Sequence, residues 1–456
     1  MVEFLTLFLG LITGPHPVAV SVGTEVARVE LLLDGRARTV LTAPDWRAQM
    51  DFGKKLRPHV LEAVAYDRDG AVLDRTQQRI NLPRAGAEAA LVLQTDQQDR
   101  WATLSWENAQ GEQPRRIRFL LDGEPLEVSD FRQIPLPAPD SRRTRLLQAE
   151  LTFASGDIVS AELLFDGTGT EWVQTELTAV PLHWRRRLPS STRRVALRRA
   201  GQSVSVDALE RGPSLIVVVR GDSVAEALAG FATPFDEGSY NGTLTSSVGS
   251  LGVAGLDSGA LAPPATATPE QQRRTALPFA DDQTVRMVLP RAQRRSGQEV
   301  ELELFATSPE IDSTMGGLLW LLGVGVHLED LSPQSRLGDA VAVAGLTAAR
   351  SNRRRGVLVV LGRPLEPDAS RYSLLQARQY LEALGVPLEV WCLCATPGAG
   401  VVSIDDYRTL TRRFRDFQKG MEQQSIAWIN GFALPSEFSA PPDASFSVLA
   451  RAEDEP

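Results

Sequence analysis

Lysine is nearly missing from this chain: of its 48 Lys and Arg residues only Lys54, Lys55 and Lys419 are lysine, and acidic residues outnumber them at 57, for a formal charge of -9. A net basic face is what phosphate neutralisation requires, so the balance excludes a nucleic-acid binder. Histidine is scarce, with His16, His59, His183 and His327. Cys392 and Cys394 are the only cysteines, one residue apart, so neither a C-x-x-C redox motif nor a zinc ligand set exists. A bridge over so short a separation is strained, and both read as free thiols. Long apolar runs are absent too. Phe4 to Ile12 (FLTLFLGLI) and Leu318 to Leu328 (LLWLLGVGVHL) are each too short to span a bilayer as a helix. The first lacks a basic n-region and a small-x-small cleavage site, and is expected as the first strand of a β domain, which favours a cytoplasmic or peripherally membrane-associated chain over a periplasmic or secreted one.

What is present fills 456 residues with 43% hydrophobic and 23% charged content, ordinary for soluble folded protein and too long for one core. Arginines cluster at Arg142 and Arg143, Arg185 to Arg187, Arg193 and Arg194, Arg198 and Arg199, and Arg353 to Arg355. They read as solvated loop and strand edges, with docking on an acidic protein or on anionic headgroups as the alternative.

Two copies of one β unit open the chain. VARVELLLDG (Val26 to Gly35) and IRFLLDG (Ile117 to Gly123) each end in an Asp-Gly hairpin turn. Downstream, Leu61 to Asn81 and Leu147 to Phe165 share a hairpin spacing. Both anchors are offset by roughly 86 to 88 residues, as a tandem duplication leaves them. The LLLDG and FLLDG hairpins, with Trp46 in APDWRAQMDFG, resemble bacterial immunoglobulin-like domains. The expected boundaries are 1–84 and 87–180, then a linker with one extra strand over 181–212, an α/β domain over 213–436 with a surface insertion at 237–275, and a loose tail over 437–456.

The α/β expectation rests on buried runs alternating with helical periodicity. Ser214 to Val219 (SLIVVV) and Val357 to Leu361 read as strands covered on both faces. Leu337 to Ala349 is a small-residue helix. Ser373 to Leu384 is amphipathic, with Leu374, Leu375, Ala377, Leu381 and Leu384 on its apolar side and Gly385 as its stop. Val386 to Trp391 completes a strand-helix-strand unit, Asp405 to Gln423 is a charged amphipathic helix, and Ser425 to Ile429 a last strand. The fold class is two all-β immunoglobulin-like sandwiches followed by an α/β doubly wound, Rossmann-like domain.

The succession SLIVVVRGDS, SRLGDAVAVA and GVLVVLGRPLEPDASRYSLLQARQYLEALGVPLEVW resembles a von Willebrand factor A (VWA) domain. The resemblance implies a Mg²⁺ site of Asp-x-Ser-x-Ser, a Thr and a later Asp at the carboxyl edge of the sheet. Here the first Asp becomes Arg220, the two Ser positions become Asp222 and Val224, Ser335 stands for the Thr, and the later Asp becomes Gly362. The metal set is therefore vestigial, with Arg220 and Asp222 expected to pair across it. Gly221-Asp222-Ser223 also matches the first block of GDS-type esterases, but no His is preceded by an Asp at the spacing those enzymes use.

The sequence thus points to a non-catalytic structural or interaction protein without metal, cofactor or small-molecule substrate, an accessory subunit of a larger protein complex, with a membrane-embedded one among the candidates. A metal-dependent adhesion domain is the alternative and a GDS-type hydrolase the third. Leu318, Leu319, Trp320, Leu321 and Leu322 are candidate partner contacts, beside the β edges and the 237–275 insertion.

Overall fold

A computed structural model describes residues 2–6, 8, 10–23, 25–82, 87–96, 99–108, 113–138, 145–153, 158–165, 177–185, 195–229, 277–292, 294–295, 298–299, 305–308, 310–313, 317–323, 331–364, 368–397 and 400–450. The insertion at 237–275, His327 and Arg142, Arg143, Arg186, Arg187, Arg193 and Arg194 lie outside the described residues. The chain divides into two compact units, Arg84–Thr175 and the remainder, Met1–Pro83 with Glu176–Pro456.

The first sandwich pairs β1 (Val2–Phe4), β2 (Pro15–Val22) and β5 (Arg47–Asp51) in one sheet. Its other sheet runs β4 (Arg36–Thr42), β3 (Arg28–Leu33), β6 (His59–Tyr66), β7 (Val72–Ile80). Alternation places Val29, Leu31 and Leu33 of β3 and Leu61, Ala63 and Ala65 of β6 in a common core. The apolar start departs from expectation: only Val2–Phe4 is a strand, while Leu11 and Ile12 are buried further along.

The Arg84–Thr175 unit repeats this plan strand for strand. β8 (Ala87–Asp96), β9 (Asp99–Asn108) and β12 (Ile134–Pro135) form one sheet. The other runs β11 (Glu124–Leu126), β10 (Arg116–Leu121), β13 (Arg145–Thr152), β14 (Ile158–Phe165). Both are immunoglobulin-like β-sandwiches. Each Asp-Gly turn is left-handed at both residues, with φ of 54° and 73° at Asp34 and Gly35 and 53° and 85° at Asp122 and Gly123, as a two-residue hairpin turn demands. The turn carboxylates also act alike. Asp34 accepts from the Val60 amide and bonds His59, and Asp122 accepts from the Leu146 amide and from Arg145.

A third, smaller β unit stands where the sequence places the end of the second sandwich, the linker, the last strand of the α/β domain and the tail. β15 (Leu177–Trp184), β16 (Leu197–Arg199), β17 (Gln202–Val204) and β18 (Ala208–Glu210) precede the α/β segment, and β28 (Gln424–Asn430), β29 (Phe438–Ser439) and β30 (Phe446–Val448) follow it. They assemble as sheets β18-β28-β15-β30 and β17-β16-β29 around Val180, Leu182, Trp184, Leu197, Ile429, Phe438 and Phe446. Two expectations are corrected: Ser425 to Ile429 is not in the parallel sheet, and residues 437–450 are not a loose tail. Each half of this core is too small to bury anything alone, so neither half reads as a domain in the sequence.

Between them lies the α/β segment. Its sheet is ordered β23 (Phe305–Thr307), β20 (Gln283–Ala292), β19 (Ser214–Arg220), β25 (Arg354–Leu361), β26 (Leu388–Cys392), β27 (Val402–Ser403). All pairings along this path are parallel except that of β23, and in chain order it reads 3-2-1-4-5-6; a short seventh strand off the path, Ile311–Asp312, also pairs antiparallel with β20. The short strands β21 (Arg294–Arg295), β22 (Gln298–Glu299) and β24 (Ile311–Asp312) are accessory. α3 (Leu337–Arg350) and α4 (Leu374–Ala383) cover one face, against Leu215, Val217 and Val219. α1 (Val224–Ala229), α2 (Leu318–Gly323) and α5 (Tyr407–Glu422) cover the other, against Ile216 and Val218. Every residue of β19 and β25 is buried, and each such aliphatic side chain contributes roughly 1.5 to 3 kcal/mol.

The helices begin and pack as their sequences direct. Ser373 and Gln376 form a capping box on α4, and Asp406 caps α5. A Cβ at Gly345 of α3 would stand 2.3 Å from Leu381 of α4, so the small-residue helix approaches its neighbour closely. On α4, Leu375 is 65% exposed, contrary to its expected place, and Tyr380 is buried instead. Its hydroxyl donates to the Asn81 carbonyl at 2.8 Å, and Tyr372 donates to Leu11 at 2.8 Å, which fixes the first sandwich to this face together with Leu11, Leu56 and Leu82.

Cys392 and Cys394 are joined in a disulfide, correcting the free-thiol reading. The chain bends after β26, which brings their Cα atoms to 5.1 Å, within the ordinary span of such a bond.

Candidate functional site

Doubly wound sheets bind ligands beyond the carboxyl ends of the strands, where the strand order reverses. Here that point lies between β19 and β25, and it brings together the loop after β19 (Gly221 to Ser223), the loop after β25 (from Gly362), the segment Ser332 to Arg336 before α3, and the end of β20.

Arg220 is 5% exposed, and burial pushes its guanidinium down to about 10, with Asp222 opposing the shift. Asp222 finds its ion pair elsewhere. Arg291 of β20 donates from Nε at 2.8 Å and Nη2 at 2.7 Å to Oδ2 of Asp222, and from Nη1 at 3.0 Å to each of the Ser332 and Pro333 carbonyls. The sequence expects Asp222 to pair with Arg220; Arg291 is its hydrogen-bonded ion-pair partner, and Arg220 is coupled to it electrostatically. Arg291 was missed because 69 residues separate it from Asp222 and no motif marks it. Asp222 Oδ1 is buried without a hydrogen-bond partner.

Two of the other vestigial positions, Val224 and Gly362, offer no side-chain ligand. Val224 is fully buried in the core beneath α1. Gly362 sits where a Cβ would stand 2.3 Å from the Ser223 carbonyl oxygen, so no side chain fits while that backbone holds its place. Ser335 engages through its carbonyl, which accepts from the Ala369 amide at 2.8 Å.

Free amides of α3 at this edge are already capped. Asp368 accepts from Leu337 at 2.8 Å and Gly338 at 3.3 Å, and Ser370 accepts from Asp339 at 3.1 Å. The buried Asp339 carboxylate takes Arg336 at 2.8 Å and the amides of Arg371 at 3.1 Å and Tyr372 at 3.0 Å.

The five candidate contact residues resolve differently from expectation. Leu318, Leu321 and Leu322 are at most 1% exposed and belong to the core under α2, so they are not a docking surface. Leu319 and Trp320 are half-buried against that core. A one-turn helix laid on a hydrophobic sheet face buries its apolar side first. The Arg353 to Arg355 cluster is likewise no solvated edge, since Arg354 and Arg355 are 1% and 2% exposed. Arg354 bonds the Gly212 carbonyl at 2.7 Å, the Met421 carbonyl at the end of α5 at 3.2 Å, and Asp282.

Among the described residues no cluster of His, Cys, Asp and Glu could hold a metal ion, and no helix is long and apolar enough to cross a membrane, which says nothing of β-barrels. For Ser223, no described histidine stands on this edge: His16 and His59 belong to the first sandwich and His183 to β15.

No family model matches the chain, and no curated protein does. Among solved structures it is similar to fibronectin(III)-like modules of Clostridium thermocellum CbhA, at 16% identity over 18% of this chain and 93% of that one, with a TM-score of 0.16. The central fibronectin-III array of RIM-binding protein matches at 13% identity over 45% and 78%, TM-score 0.19. A β-glucuronidase of Bacteroides uniformis matches at 15% over 37% of this chain and only 25% of its own, TM-score 0.18. The sandwich assignment therefore rests on the strand order described above and not on these likenesses.

Proposed function

We propose that this chain is a non-catalytic interaction scaffold, an accessory subunit of a larger protein assembly, in which immunoglobulin-like modules accompany an α/β domain of the VWA type that has given up its ligand site. The strand order 3-2-1-4-5-6 supports the A-type reading. The single observation that carries the functional reading is the packing of Gly362 on the Ser223 backbone. In this reading the contact closes the crevice in which a doubly wound sheet takes a ligand, and the surfaces of the modules are the means of action.

The test is gentle extraction from the native source followed by size-exclusion chromatography and cross-linking mass spectrometry. The scaffold elutes with defined partners well above its own 49.7 kDa. A chain that runs alone as a monomer, or that turns over an ester panel in a manner lost in Ser223→Ala, overturns the reading.

A further inference from the structure

The VWA resemblance implies a divalent ion at the carboxyl edge, and the residues present do not fit one. Only one carboxylate, that of Asp222, faces the edge from the positions the resemblance supplies. Val224 is turned into the core and Gly362 has no side chain and no room for one, which leaves the Ser335 hydroxyl as the one further side-chain oxygen of those positions. Two guanidinium groups flank the one carboxylate: Arg291 bonds it directly and Arg220 interacts with it electrostatically. A divalent cation placed beside Asp222 competes with Arg291 for the one carboxylate those positions supply, where hard cations take six or more oxygens.

We infer that Arg291 is the resident cation of this edge, a covalently attached guanidinium that joins the loop after β19 to the segment before α3 and makes the edge indifferent to divalent metal. The geometry supports each part. Its three nitrogens reach Asp222 on one loop and the Ser332 and Pro333 carbonyls on another, all between 2.7 and 3.0 Å. The segment so held is anchored on both sides of the contact, by the Ser332 amide to the Ala292 carbonyl at 2.9 Å and the Arg336 amide to the Pro290 carbonyl at 2.7 Å. Arginine suits the task because its planar fork serves a carboxylate and flanking carbonyls together, which a lysine point charge cannot. A bound ion comes and goes with concentration, whereas this one is present whenever the chain is folded. The inference goes beyond the scaffold reading, since it assigns the device that holds the closed edge in a single state.

The test uses the full chain. Wild-type protein is titrated calorimetrically with MgCl₂ and with MnCl₂, and hydrogen exchange is followed in wild type, Arg291→Met and Arg291→Lys. Wild type gives no binding heat. In Arg291→Met, amides of residues 221–224 and 332–336 exchange faster by on the order of tenfold or more, while those of β25 keep their protection as the sign of an intact sheet. Arg291→Lys falls between, because it loses the carbonyl contacts and keeps the charge. Unchanged exchange in both loops of Arg291→Met overturns the inference and leaves the scaffold reading standing. Metal heat in wild type that disappears in Asp222→Asn overturns it as well, and does so even if Arg291→Met fails to fold. Failure to find a partner bears on the scaffold reading alone.

Discussion

Arg355 Nη2 donates to the carbonyl of Leu384 at 3.0 Å, and the same guanidinium reaches Ala349 at 3.1 Å and Gly385 at 3.3 Å. Ala349 lies at the end of α3 and Leu384 caps α4, so one buried charge on the central strand satisfies the terminal carbonyls of two helices where their dipoles are negative. Burial pushes this guanidinium down to about 10. Carbonyl dipoles alone offset its desolvation among the bonds described. Arg355→Met should therefore destabilise the α/β segment by about 2 to 4 kcal/mol, through three carbonyls left dry. Urea unfolding of wild type and variant measures it, and a loss below the noise of extrapolation refutes the helix-end role.

Tyr372 and Tyr380 predict how firmly the first sandwich is held. Burial pushes both phenols up, Tyr380 well up, so they stay protonated as donors to Leu11 and Asn81. Each Tyr→Phe change leaves a buried carbonyl without its donor and should cost roughly 1 to 3 kcal/mol. The double variant should raise exchange of amides at 80–82 before those of the sandwich core. Equal exchange in wild type and double variant counts against the docking.

Acid sensitivity follows from Asp34. Burial raises its carboxyl, but the bond to His59 at 2.7 Å and the Val60 amide at 2.9 Å outweigh that and hold it below the ordinary 3.8. A folded value below the unfolded one means the contribution is present above pH 3.8 and is lost as pH falls through the lower folded value. Asp34→Asn should flatten this part of the acid-unfolding curve, read by circular dichroism, and a curve identical to wild type excludes the tether.

Gly362→Ala tests the closed crevice. The group it would strike is backbone, 2.3 Å away, so the loops must separate, at a cost of roughly 1 to 3 kcal/mol. Calorimetric melting gives the answer. A variant as stable as wild type shows that the crevice opens freely.

Local patterns were legible where one short segment carries its own signal. The Asp-Gly turns, the amphipathic period from Ser373 with its stop at Gly385, and the fully apolar runs of β19 and β25 all state their conformation within a few residues. The offset of the two sandwiches was readable for the same reason, since a repeat needs only the chain to be compared with itself.

The site was half legible. Arg220, Asp222 and Gly362 were singled out on position, yet the partner of Asp222 was not, because Arg291 reaches it only through strand pairing. Composition misled at Arg354 and Arg355, where charge reads as solvent-facing until helix ends are known to converge on it.

By itself the sequence determined most of the element types and the duplicated β plan, both of which depend on neighbours in the chain. Tertiary structure alone decided that β15 to β18 and β28 to β30 form one β unit around the ends of the α/β segment, that Arg291 holds Asp222, and that Leu318, Leu321 and Leu322 are core. The physical reason is common to the three. Burial and ion pairing are set by whatever arrives from far along the chain, and no local periodicity encodes the arrival.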